Sequence, residues 1–124
     1  MRLFLSIALS AMSLSAAAAR ADHCGEPVAL PLGEGLYAER CVLCHGDEGR
    51  GDGRMSKLIE DPPPFDLTQS IQPSAYLALI ISRGGARLGR SPHMPPFGQD
   101  LTEAQIESLA HYLLTLRETT GDQP

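Results

Sequence analysis

Tryptophan is absent from the sequence, and three phenylalanines and three tyrosines are its only aromatic residues in 124 positions. A core with so few large side chains is thin, and a chain of this size commonly needs a staple or a cofactor to complete it. Basic charge is scarce as well. Ten Lys and Arg face fifteen Asp and Glu, for a formal net charge of −5 with histidines neutral. That balance disfavours nucleic acid, whose phosphates repel an acidic surface, and no nucleic acid partner is expected. It suits docking onto a basic patch of a partner protein. No internal repeat or long low-complexity linker divides the chain, so one small domain is expected.

An apolar run of membrane-spanning length, about 20 predominantly apolar residues, is also missing. The N-terminus, MRLFLSIALSAMSLSAAAAR, has Arg2, a shorter apolar run from Leu3 to Leu14, and small residues from Ser15 to Ala19. That order reads as a secretory signal peptide, residues 1–21, cleaved after Ala19 or Ala21, with a retained N-terminal anchor as the alternative. The expectation is a periplasmic protein without stable membrane insertion. Cys24 follows Asp22 and His23 instead of the small residues of a lipoprotein signal, so lipid attachment there is discounted. Removal of residues 1–21 leaves 103 residues and, with Arg2 and Arg20 gone, a formal charge of −7. An extended lead-in over 22–33, a domain over 34–118 and a tail over 119–124 are expected.

The domain reads as short helices. A first helix is expected from Glu34 to Cys41, pairing Leu36 with Arg40 and Tyr37 with Cys41 at i,i+4 spacing. GDEGRGDGRM, residues 46–55, is a tight glycine-rich loop. It lacks the GK[ST] ending of a phosphate-binding loop and follows no strand, so phosphate binding is rejected. Met55 to Ile59 make one or two helical turns, stopped by Asp61-Pro62-Pro63-Pro64. A second clear helix follows, with Pro73 in its first turn, an apolar face of Tyr76, Leu77, Ile80 and Ile81, and an exit at Gly84-Gly85. In a third, Thr102 and Gln105 form a capping box, and Ile106, Leu109, Ala110, Leu113 and Leu116 line one side. That stripe needs a partner, for which the helix before Cys41 is the candidate. Residues 86–100 are irregular and place His93 beside Met94.

The chemistry concentrates in CVLCH, Cys41 to His45. A thiol–disulfide site would use Cys41 and Cys44 at a helix start after a strand, but nothing strand-like precedes them and His45 is left unexplained. A zinc site would need two further ligands from Cys24, His93 or His111, and no second cysteine pair is present. The third reading uses all three residues, because C-x-x-C-H is the attachment signature of a c-type haem. Cys41 and Cys44 then form thioethers with the vinyl groups, and His45 lies under the iron. In an exported, helical, aromatic-poor chain, the porphyrin also supplies missing apolar core.

From Gly35 to Leu116 the chain resembles the class I single-haem bacterial cytochromes c, through LYAERCVLCHGDEGRGDG, SRGGARLGRSPHMPPFG and LTEAQIESLAHYLLTL. The resemblance implies an all-α cytochrome c-like domain of short helices around one covalently attached haem c, with N- and C-terminal helices crossing. It implies His45 as proximal and Met94 as distal iron ligand, and a carbonyl from Pro62 to Pro64 orienting His45. His93 leaves a bis-histidine pair physically open. Met55 reads as core filler, His111 as a surface or boundary residue, and Tyr37, Tyr76, Phe65 and Phe97 as packing around porphyrin or core. Cys24 has no role in this pattern, and His23 is placed in the N-terminal lead-in.

Two side-chain ligands leave no open coordination position, which points to electron transfer and away from an enzyme. Methionine opposite histidine raises the potential by favouring ferrous iron. The main expectation is a shuttle carrying single electrons between redox proteins. The alternatives are a dedicated haem c subunit of a dehydrogenase or oxidase complex, and a ligand-binding haem sensor in which Met94 is displaced.

Overall fold

A computed structural model describes residues 30–118. The leader, His23, Cys24 and the tail from residue 119 lie outside the described residues. Among the described residues the fold is all-α, with four α-helices: α1 (Leu30–Arg40), α2 (Val42–His45), α3 (Ser74–Arg83) and α4 (Glu103–Glu118). Three short 3-10 turns, Ser56–Leu58, Leu67–Gln69 and Ala86–Leu88, fill the connections.

The first helix begins at Leu30, four residues before the expected Glu34. Pro31 sits in its first turn, where a missing amide costs nothing. Gly33, read from composition as part of the lead-in, is instead buried where α1 crosses α4. A Cβ there would collide with the Ser108 carbonyl oxygen and lie 2.8 Å from Tyr112 Cβ, so the two backbones meet only because position 33 is glycine. One turn further on, Tyr37 packs on Tyr112 with ring centroids 5.3 Å apart and planes tilted by 51°.

The third helix has the expected apolar face, with Leu77 and Ile81 buried and Tyr76 and Ile80 half-buried. Pro73 stands just before the helix, not inside its first turn. Its φ is −68° and ψ 160°, and its carbonyl accepts from the Tyr76 and Leu77 amides at 3.0 and 3.1 Å. The chain leaves at Gly84, φ +77°, whose amide reaches back to Ile80 O at 2.8 Å.

At the start of α4 the capping box is formed as the sequence predicts. Thr102 N donates to Gln105 Oε1 at 2.8 Å, and Gln105 N donates to Thr102 Oγ1 at 3.3 Å. All five residues of its apolar stripe are buried, and they join Leu36, Tyr37, Leu77, Ile81 and Leu101 in one core. Leu109 is 0% exposed at the centre of that core. Leu109→Ala is therefore expected to cost roughly 2–5 kcal/mol, as deletion of a fully enclosed leucine does. Chemical unfolding checks this, and an unchanged midpoint would contradict the core assignment.

Candidate functional site

CVLCH begins where α1 ends. The Cys41 amide still donates to Tyr37 O at 2.9 Å, but Cys41 itself takes a turn conformation, and α2 starts afresh at Val42. The His45 amide donates to Cys41 O at 2.9 Å, which closes one helical turn carrying Cys41, Cys44 and His45 together. Both cysteines are free thiols and half-buried.

The glycine-rich loop that follows has a structural task. It folds back so that the amides of Gly51, Gly53 and Met55 donate to the carbonyls of His45, Cys44 and Leu43, at 2.8, 3.2 and 2.9 Å. The last carbonyls of a helix have no partner of their own, and this loop supplies one to each. Tyr37 adds a lock from α1: its phenol donates to Gly46 O at 2.6 Å. Burial, helped by the neighbouring Cys41, raises the Tyr37 pKa and keeps the phenol protonated as that donor. The Leu67 amide donates to Gly49 O at 2.7 Å, tying the loop to the segment after the prolines.

That segment reaches the histidine. His45 Nδ1 donates to Phe65 O at 3.1 Å. The expected orienting carbonyl lay in Pro62 to Pro64, and the residue that provides it is the next one, Phe65. A carbonyl only accepts, so Nδ1 carries the proton and Nε2 keeps its lone pair, the tautomer a metal ligand needs. Burial lowers the pKa of His45, partly opposed by the Phe65 hydrogen bond, and so favours the neutral imidazole.

Two alternative chemistries fit this turn poorly. Burial, then the charge of Cys44, pushes the Cys41 thiol up to about 12, opposite to the depressed pKa of a disulfide-exchange thiol. Zinc needs further protein donors, and among the described residues no three His, Cys, Asp or Glu side chains gather where they could hold a metal. The turn does fit a covalent haem, with two free thiols, a bare imidazole nitrogen, and uncovered apolar side chains in Leu43 (46% exposed) and Phe65 (58%). Cys41, Cys44 and His45 thus form one c-type haem attachment site, and haem would be held there by two thioethers.

Met94 lies in the loop between α3 and α4. It is half-buried and packs against the same core as Cys41, Val42 and Phe97. The Gly85 amide donates to Met94 O at 3.0 Å, and a Cβ on Gly84 would come within 3.0 Å of that same carbonyl oxygen. This close approach holds the Met94–Pro96 segment against the end of α3. His93 is exposed, its amide turned to Ser91 Oγ at 3.3 Å. Met55 is half-buried outside the main core, and His111 is half-buried on α4. Tyr76 is half-buried and accepts from Arg90 Nε at 3.2 Å.

Residues 29–113 match the family described as cytochrome c oxidase, cbb3-type, subunit III. No curated protein matches the chain. The family match corrects two expectations. A subunit of an oxidase held in the membrane must stay beside the complex it feeds, so a periplasmic protein freed by signal cleavage and lacking stable membrane insertion does not fit. The residues that would decide between leader and anchor are outside those described, and among the described residues no helix is long and apolar enough to cross a membrane. The match also favours the oxidase-subunit alternative over the free shuttle, and electron transfer over catalysis by the chain itself. With its helix crossing and its Cys41-Cys44-His45 haem attachment site, this small all-α c-type cytochrome domain belongs to the cbb3-type cytochrome c oxidase subunit III family.

Proposed function

We propose that the chain is the haem c electron-transfer subunit of a cbb3-type oxidase complex, with His45 and Met94 as the two iron ligands. The observation that carries the haem reading is the His45 ring. Its Nδ1–H is fixed on Phe65 O at 3.1 Å, which leaves Nε2 bare in the same helical turn as two free thiols. Haem, when bound, supplies a one-electron redox couple. The protein's own residues hold and tune it. Cys41 and Cys44 anchor it covalently, Phe65 O sets the orientation and basicity of His45, and the Gly84-Gly85 exit positions Met94. Met94 is favoured over His93 because it is packed on the core while its neighbour faces solvent.

Fractionation of cells expressing the full chain with a C-terminal tag tests the subunit reading. The chain is expected to sediment with membranes, to resist a high-salt wash, and to leave them in detergent together with an oxygen-reducing complex. Recovery in the soluble fraction with no partner would contradict it.

A further inference from the structure

Charge is unevenly distributed over this acidic chain. From Glu34 to Asp66 there are eight acidic and four basic residues, whereas residues 67–99 contain no Asp or Glu and hold Arg83, Arg87 and Arg90. The fold ties all three arginines to α3. Arg83 ends α3, and Arg87 lies in the 3-10 turn packed directly against that helix. Arg90 bends back to α3 through its hydrogen bond to Tyr76 Oη at 3.2 Å. Tyr76 and Arg83 are two helical turns apart, hence on one face and about 10 Å from each other along the axis.

All three arginines are exposed. The ion pairs among the described residues, Arg40–Glu39 and Arg50–Glu48, both belong to the acidic part of the chain, and none involves this trio. The trio is also rigidly joined to the methionine loop. Gly85 donates its amide to Met94 O at 3.0 Å, and its carbonyl accepts from Leu88 N and Arg90 N at 3.0 and 2.9 Å.

We infer that the side of the molecule bearing Arg83, Arg87 and Arg90 is the docking surface for an acidic patch on a redox partner protein. The inference rests on reading the domain as an electron-transfer subunit. Guanidinium forks match carboxylates in geometry as well as in charge. Asp47, Glu48 and Asp52, in the loop that caps the CVLCH turn, repel the same partner, so the asymmetry orients the encounter. An anionic lipid surface is the less suitable occupant, because interfacial binding combines basic residues with exposed apolar ones. The exposed large apolar side chains among the described residues are Leu30, Leu32, Leu43, Leu58, Phe65 and Ile71, none of them in residues 83–94.

Stopped-flow oxidation of the reduced, detergent-solubilised full chain by hexacyanoferrate(III) reads the local charge. One electron passes from the protein to the trianion. Net charge predicts a rate that rises with salt as like-charge repulsion is screened. Attraction at the arginine face predicts a fall of about tenfold between roughly 10 mM and 200 mM ionic strength, with poly-L-glutamate slowing the reaction at low salt. In Arg83→Glu/Arg87→Glu the salt trend is expected to reverse and poly-L-glutamate to lose its effect, with helix content by circular dichroism unchanged. A wild-type rate that rises with salt, or a variant that keeps the wild-type trend, would overturn the inference. So would binding of the wild type, but not the variant, to phosphatidylglycerol vesicles while poly-L-glutamate has no effect. Calorimetric binding of poly-L-glutamate to the same samples needs no haem, and absorbance reports haem directly, so the docking surface and the haem reading fail separately.

Discussion

Changing Cys41 and Cys44 together to Ala is expected to abolish covalent haem completely. The wild-type chain should keep its colour through acidified organic extraction and denaturing electrophoresis, because thioethers do not exchange or dilute away. The double variant should lose all of it to the solvent, and each single variant should keep at most the attachment that one thioether allows. The reasoning is local. Cys41, Cys44 and His45 share one hydrogen-bonded turn, and both sulfurs are free. Neither sulfur is among the buried residues at the α1–α4 crossing, Leu36, Tyr37, Leu109 and Leu113, although Cys41 packs against their edge, so helix content by circular dichroism is the control for the double variant. Retention of extraction-resistant haem by the double variant would show that the attachment lies elsewhere.

The second large effect is expected at Met94. Met94→Ala should abolish the far-red charge-transfer band of thioether-bound ferric haem and let the reduced protein bind carbon monoxide. It should also lower the reduction potential by roughly 100 mV or more, a fraction of the ~0.8 V over which axial ligands set haem potentials. The soft sulfur favours ferrous iron, and its loss removes that preference. His93→Ala should leave the band in place, since the His93 side chain is exposed and the backbone of the loop is held by Gly85. If the His93 change opened the iron and the Met94 change did nothing, the ligand pair would be two histidines. Carbon monoxide binding by the unaltered protein would point instead to a sensor with a displaceable Met94.

Some parts of this structure are written locally and others are not. The last helix was legible because two independent local signals agree: the Thr102/Gln105 box marks its start, and Ile106, Leu109, Ala110, Leu113 and Leu116 repeat at helical spacing. The first helix was read four residues short because Pro31 and Gly33 resemble a turn in one dimension. The use of Gly33 appears only where α4 crosses it, through contacts with Ser108 and Tyr112 far along the chain. The cysteines and histidine of the site form a compact motif and could be named directly. The group that orients His45 could not, because it is the backbone carbonyl of Phe65, and every residue has one.

Localisation was misread for a related reason. A cleaved leader and a short anchor use the same materials, a basic start and an apolar run, and Arg2 followed by Leu3 to Leu14 satisfies both descriptions. Membership of the oxidase subunit family, carried by residues 29–113, speaks against a freed periplasmic protein where the N-terminal residues alone do not. Net charge compresses information in the same way. A total of −5 predicts a basic partner, yet it averages an acidic segment through Asp66 with a stretch holding Arg83, Arg87 and Arg90 and no carboxylate.

A mass spectrum of the tryptic peptide Cys41–Arg50, CVLCHGDEGR, released from the purified full chain under denaturing conditions, tests the central claim most directly. Cleavage after Arg40 and after Arg50 isolates the whole attachment motif in one fragment. The predicted result is that peptide carrying the added mass of one haem, with neither cysteine open to alkylation. The same peptide recovered at its unmodified mass, with both thiols alkylated, would contradict it.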